Sequence, residues 1–97
     1  NDDMHIIRGV NIFPSSIDAI IQKYDVIEEY RVLLFTLNSM KEIELNIELS
    51  DSSLETEIIK SLSNDFNSTL SLRIPINVVP EGTYEKYEFK ATRWIKK

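Results

Sequence analysis

The order of apolar and polar residues predicts an α+β domain of ferredoxin-like type, βαββαβ, with a mainly antiparallel sheet, two helices on one face and a basic C-terminal tail. Three observations carry this. Glu42 to Leu49 alternates strictly, with Ile43, Leu45, Ile47 and Leu49 against Glu42, Glu44, Asn46 and Glu48, the period of a strand with one buried face. Ile17, Ile20, Ile21 and Tyr24 fall at i, i+3, i+4, i+7, and Leu54, Ile58, Ile59, Leu62 and Phe66 follow the same helical spacing. Each stripe is apolar on one side only, so both helices must cover one face of a sheet.

His5 to Phe13 reads as one extended segment interrupted by Gly9. Pro14 stands where a helix commonly opens, Ser15 and Ser16 offer capping hydroxyls, and the stripe ends near Tyr24. Tyr30 to Leu37 is a β-branched and aromatic run without a polar face, as in a central strand covered on both sides. A turn at Asn38 to Lys41 leads into the alternating strand. Ser52 and Glu55 then spell a capping box for a second helix running to about Phe66. Leu70 to Val79 alternates again, but Pro75 lacks a ladder donor and limits the segment to an edge, a bulge or two shorter pieces. Pro80, Glu81 and Gly82 punctuate, and the tail beyond them has no clear period.

With 97 residues, 42% of them apolar and 28% charged, the chain makes one domain spanning 1–97. It has no cysteine, which removes disulfides and thiolate metal sites and makes a reducing, cytoplasmic setting the simpler expectation. No apolar run approaches the roughly 20 residues that cross a bilayer, and no signal-peptide pattern opens the chain. The net charge of −5 disfavours nucleic acid and anionic membranes as partners. From Glu85 onward the sign reverses, with Lys86, Lys90, Arg93, Lys96 and Lys97 against Glu85 and Glu88.

Read residue by residue, few positions carry chemistry. His5 is the sole histidine and has no second ligand at metal spacing, so a structural or surface role outweighs a metal site. Glu42, Glu44 and Glu48 read as the solvated face of a strand rather than as paired catalytic carboxylates. Tyr84, Tyr87, Phe89 and Trp94 interleave with basic residues, a pattern that stacks on bases or on an adenine; packing of at least two of the four onto the sheet is the simpler reading.

One stretch is far more specific. Asp2-Asp3-Met4-His5-Ile6-Ile7-Arg8-Gly9-Val10-Asn11-Ile12-Phe13-Pro14-Ser15 closely resembles the signature that opens the C-terminal domain of the phenylacetate-CoA ligase family, and Val79-Pro80-Glu81-Gly82 and Lys90-Ala91-Thr92-Arg93-Trp94-Ile95 resemble its later segments. The chain starts at Asn1 inside that signature, which reads as a cut at a domain hinge. The resemblance implies an enzyme in which a carboxylic acid, phenylacetate or another aryl acid among the candidates, reacts with MgATP to an acyl-adenylate, from which the CoA thiol displaces AMP. ATP, CoA and Mg are thus expected for the full-length enzyme and none for the isolated domain, and the partner is a missing N-terminal adenylation domain.

By the same resemblance Lys90 is the catalytic lysine of the tail and Asp2 the hinge carboxylate. Gly9 with Val10 faces the CoA channel, and Arg8 is a candidate for a phosphate of CoA or AMP. From the residues alone, Arg8 pairs more simply with Asp2 or Asp3, Gly9 serves equally as a strand bulge, and Lys90 is a solvated lysine. The tail departs from the family pattern at Glu85-Lys86-Tyr87 and at Phe89, which stands where a glycine usually precedes the lysine. A free-standing ferredoxin-like regulatory module, binding a small molecule and pairing through an exposed sheet edge, is the alternative reading.

Overall fold

The structure is a computed structural model and describes residues 3–85 and 93–97. The segment expected as one strand before Pro14 is a hairpin of two: β1 (His5–Ile7) pairs antiparallel with β2 (Val10–Ile12), Ile7 opposite Val10. Arg8 and Gly9 form its two-residue turn with φ of 50° and 78°. Positive φ at both central residues is the hairpin geometry that matches the twist of the flanking strands, and glycine adopts it at little cost. The hairpin forms a small sheet of its own, and Ile7 and Ile12 plug it into the core, both fully buried.

Helix α1 (Pro14–Ile21) starts with Pro14 in its first turn and buries Ile17, Ile20 and Ile21. Its N-cap, Phe13, supplies no side-chain cap. The helix stops at Ile21, short of Tyr24. The Tyr24 hydroxyl instead bonds the Asp65 carboxylate and lies 2.9 Å from Ser61 Oγ, tying the end of α1 to the second helix.

The main sheet has four strands, in the spatial order Ile76–Val79, Met40–Leu49, Ile27–Leu37 and Trp94–Lys96. Strands β3 (Ile27–Leu37) and β4 (Met40–Leu49) form a long antiparallel ladder closed by Asn38 and Ser39, again both at positive φ. Helix α2 (Glu55–Leu70) carries the chain back across the sheet, so β5 (Ile76–Val79) runs parallel to β4. It begins directly after Pro75, whose carbonyl accepts from Leu45 N–H at 2.9 Å, and it is an edge strand, one of the options Pro75 allows. The tail contributes a strand with no periodic signal, β6 (Trp94–Lys96), parallel to β3. The α+β class stands, and the order is ββαββαββ. It differs from a plain ferredoxin-like pattern in its separate first hairpin and in two short outer strands parallel to their neighbours.

The Ser52–Glu55 capping box is replaced by an earlier cap. Asp51 accepts from Ser53 N–H at 3.0 Å and from Ser53 Oγ at 2.6 Å, opening a single 3-10 turn, Ser52–Leu54, that leads into α2. These Ser53 bonds, the hydroxyl's first, hold the Asp51 carboxyl below its ordinary value. At its other end α2 closes on Ser71 in the left-handed conformation, φ 54°.

Both helices lie on the same side of the sheet. Ile17, Ile20, Ile58, Leu62 and Phe66 join Tyr30, Val32, Leu34, Ile43, Leu45 and Ile47 in one buried cluster. The strict alternation of β4 therefore had the right phase, since a one-residue slip would turn every one of its isoleucines outward. Leu62 is wholly buried and its neighbour Ile59 only partly. Urea unfolding of Leu62→Ala is expected to show a loss of about 2 to 5 kcal/mol, with a clearly smaller loss for Ile59→Ala. Equal losses would place the helix in the wrong rotation.

Candidate functional site

The face of the sheet away from the helices is not a plain solvated surface. Glu29 of β3 and Glu48 of β4 stand opposite each other in register, and both are nearly fully buried, at 3% and 1% exposure. Two carboxylates facing each other across a ladder repel, and burial removes the water that would screen them, so each needs donors of its own. Glu29 has two arginines. Arg31 Nη1 lies 3.1 Å from Oε1; Arg93 Nε also bonds Oε1, with its Nη2 3.3 Å from Oε2. Tyr30 N–H adds a third donor at 3.0 Å. Glu48 instead takes backbone N–H groups, from Gly82 at 2.8 Å and Tyr84 at 2.7 Å.

These contacts nail residues 80–85 onto the sheet. Arg31 Nη2 donates to the Glu85 carbonyl at 2.8 Å, its guanidinium lies 4.5 Å from the Tyr84 ring centre, and Asn46 Nδ2 donates to the Tyr84 hydroxyl at 2.9 Å. On the other side of residues 86–92, Val32 N–H donates to the Arg93 carbonyl at 2.8 Å. The Arg93 guanidinium also lies 5.2 Å from the Tyr30 ring, whose hydroxyl donates to Asp18 at 2.7 Å. Burial, then the Asp18 bond, pushes the Tyr30 phenol well up. The hydrogen bond from Arg93 to Glu29, ahead of the opposing effect of desolvation, raises the arginine's own value further.

At the other end of the sheet, the exposed hairpin turn is tied down by Arg8. Its Nε donates to Glu42 Oε1 at 3.1 Å, its Nη2 bonds the same oxygen, and its Nη1 donates to the Arg73 carbonyl at 3.1 Å. A Cβ built at Gly9 would meet nothing within 4 Å, so the glycine is required by its φ and not by crowding from this chain. Val10 is half-buried at the base of the turn. His5 stacks on Trp94, with ring centres 4.7 Å apart and planes 11° from parallel. Desolvation, then Lys41 and Lys96, holds the imidazole below its ordinary value, opposed by Asp3.

The AMP-binding enzyme C-terminal domain family model matches residues 9–97. The chain belongs to that family. The phenylacetate-coenzyme A ligase of Pseudomonas putida is 29% identical over 98 residues, covering 94% of this chain and 22% of that protein. The Escherichia coli enzyme of the same name is 28% identical over 100 residues, covering 96% of this chain and 23% of its own length. This C-terminal domain thus spans less than a quarter of those relatives. A solved domain of a Bacteroides vulgatus phenylacetate-coenzyme A ligase superposes with a TM-score of 0.81 at 27% identity, covering 98% of this chain and 92% of that one. A 2-hydroxyisobutyryl-CoA ligase, solved with 2-HIB-AMP and CoA in its thioesterification state, superposes at 0.84 and 27% identity, over 98% of this chain and 21% of that one.

Of the residues singled out in the sequence, the C-terminal domain brings Arg8, Gly9 and Val10 together at one hairpin. Lys90 and Asp2 lie outside the described residues, as do Lys86, Tyr87 and Phe89. Arg8 pairs with Glu42, a carboxylate 34 residues away in sequence; of the two aspartates expected as its partner, Asp2 lies outside the described residues. Glu48 is a correction: alternation places it on a solvated face, but the segment 82–84 covers it. Tyr84 and Trp94 pack onto the fold, as the simpler reading of the aromatic tail holds. Glu29, Arg31 and Arg93 were missed as a group. Their signal was Arg31 itself, a charge inside a strand otherwise read as covered on both faces. No helix among the described residues is long and apolar enough to cross a membrane.

Removing one partner of a buried ionic cluster leaves the other charge uncompensated. Glu29→Ala is therefore expected to destabilise the domain by about 3 to 5 kcal/mol in urea unfolding. Arg93→Ala should cost less, because its side chain keeps 27% exposure against 1% for Glu29.

Proposed function

We propose that this domain is the C-terminal lid of an acid–CoA ligase that forms an acyl-adenylate from a carboxylic acid and MgATP and passes the acyl group to CoA. The observation that carries the reading is the match over 9–97 to the AMP-binding enzyme C-terminal domain, joined to the close superposition on a CoA ligase solved with an acyl-adenylate and CoA. Residues 1–97 form one unit that works against a larger adenylation domain, where the acid and ATP pockets lie. Phenylacetate or a related acid is the substrate class favoured by the named relatives. A reaction that consumes ATP and CoA favours the cytoplasm, and phenylacetate catabolism is the setting those relatives favour.

Lys90 acts in the first half-reaction. A carboxylate must approach an α-phosphate that is also negative, and a lysine ammonium between them stabilises charge that grows in the transition state. What supports Lys90 in this role is its place in the tail motif, together with the anchoring of both flanks: Glu85 by Arg31, Arg93 by Glu29. Asp2 is the hinge at which the lid turns between half-reactions. After that turn the Arg8-Gly9-Val10 hairpin borders the path of the CoA thiol, where the open space around Gly9 leaves room for a chain to pass. The isolated domain holds half of each site, so it is inactive alone and binds MgATP no tighter than about 1 mM by calorimetry.

The deciding experiment uses the full-length ligase. Lys90→Ala is expected to lower acyl-adenylate formation by roughly two to three orders of magnitude while leaving thioester formation from supplied acyl-adenylate nearly intact. A bulky residue at Gly9 should give the reverse pattern. Equal loss of both half-reactions in Lys90→Ala, or loss of neither, would reject the assignment. Micromolar MgATP binding by the isolated chain would instead favour the free-standing regulatory module.

A further inference from the structure

A groove of about 160 Å³ opens at the hairpin end of the main sheet, away from the tail anchors. Three strands bring basic side chains to it: Lys41 from β4, Lys96 from β6, and the imidazole of His5 from β1, with Lys97 following β6. Backbone pairing fixes their positions. Lys41 stands opposite Thr36, Lys96 stands opposite Leu34, and Lys97 N–H donates to the Leu34 carbonyl at 2.8 Å. The His5 ring is held from one side by its stack on Trp94. The carboxylate lining the groove, Glu42, is engaged by Arg8.

Two lysines, Lys41 and Lys96, thus act on the His5 side of one small concavity, which Lys97 also lines, in a chain whose net charge is −5. Such a concentration of one sign against the overall balance raises the local concentration of anions. That Lys41 and Lys96 are close to the imidazole is also why both press its protonation down. Compact ammonium charges, a Thr36 hydroxyl and an imidazole N–H form a donor set suited to a small tetrahedral oxyanion of double charge rather than to a planar carboxylate, which favours a guanidinium fork.

We propose that this groove binds a phosphomonoester dianion, with Lys41 and Lys96 as charge partners and Thr36 and His5 as hydrogen-bond donors. The open side leaves the rest of the ligand in solvent, so the phosphate is either free or the terminal monoester of a nucleotide such as the ribose phosphate of CoA. Choosing CoA as a probe rests on the ligase reading; the response to inorganic phosphate does not, and survives failure of that reading.

His5 is the single histidine, so its ring protons report without assignment. The chain is titrated by NMR at low salt with inorganic phosphate, with CoA and with dephospho-CoA. The charged groups acting on the ring are Lys41, Lys96 and Asp3, and Glu42 and Lys97 also line the groove. A dianion added among them favours the imidazolium and moves the His5 midpoint upward. Inorganic phosphate and CoA are expected to shift the ring signals with a Kd of about 1 mM, and dephospho-CoA at least tenfold more weakly. In Lys41→Gln/Lys96→Gln, checked as folded by its spectrum, the response should weaken at least tenfold; Lys41→Gln alone, at an exposed position, gives the same reading on a smaller scale. A response to phosphate with CoA and dephospho-CoA alike would keep the groove and assign free phosphate. No response to any probe, or one unchanged in the variants, overturns the proposal.

Discussion

A single buried carboxylate, Glu29, determines what the far side of this sheet can do. It sits at 3% exposure directly across the ladder from a second buried carboxylate, and Arg31 and Arg93 offset its charge. Burying charges costs several kcal/mol each unless the partners are well placed. Here they are, and both arginines carry that constraint onward. Arg93 brings the returning tail alongside β3, where β6 forms, and Arg31 reaches the Glu85 carbonyl on the outgoing side. The ends of the span between them are thereby fixed relative to one rigid strand.

The two faces of the sheet divide the work. The helical face is apolar and interlocks Ile17, Leu62 and Phe66 with the alternating residues of β3 and β4, and it supplies stability. The other face carries the buried polar network beside Leu33, and no buried side-chain nitrogen or oxygen among the described residues lacks a partner. Satisfied polar networks specify position more than they add stability. Under the proposed function, in which Lys90 acts at a site on another domain, position is the property needed, because a displacement of about 1 Å at the reacting centre costs on the order of a hundredfold in rate.

The sequence was most legible where one face of an element is buried. Strict alternation from Ile43 to Leu49 fixed the phase of β4, and the stripes at Ile17 and Ile58 fixed the helix faces, because a period is a direct record of burial. Pro75, through its missing donor, allowed the edge strand that β5 is, but the alternation read from Leu70 made no strand ahead of it: Leu70 ends α2 and β5 starts at Ile76. Legibility failed where tertiary contacts decide. Glu48 belongs by period to the solvated set, and only the fold-back of Gly82 and Tyr84 buries it. The β1–β2 turn was hidden because Gly9 was read as a local interruption, although apolar residues on both sides of a two-residue Arg-Gly turn are a hairpin signal. Strand β6 is three residues long and too short to show a period. In the candidate site, the hairpin residues were legible through motif resemblance alone; of the tail anchors, Arg31 left a trace as a charge inside a covered strand, but its grouping with Glu29 and Arg93 did not, since the Glu29–Arg93 pair is 64 residues apart in sequence.

Native-state hydrogen exchange in Glu29→Gln tests the governing role of that carboxylate most directly. Val32 N–H bonds the Arg93 carbonyl across β3 and β6, whereas Leu45 N–H bonds the Pro75 carbonyl at the opposite side of the sheet. If Glu29 holds the tail in place, Val32 exchange accelerates by a larger factor than Leu45 exchange, as the tail strand opens while the β4–β5 side stays closed. Equal acceleration at both amides would mean that Glu29 contributes only to global stability, and no acceleration at Val32 would contradict its role as the anchor.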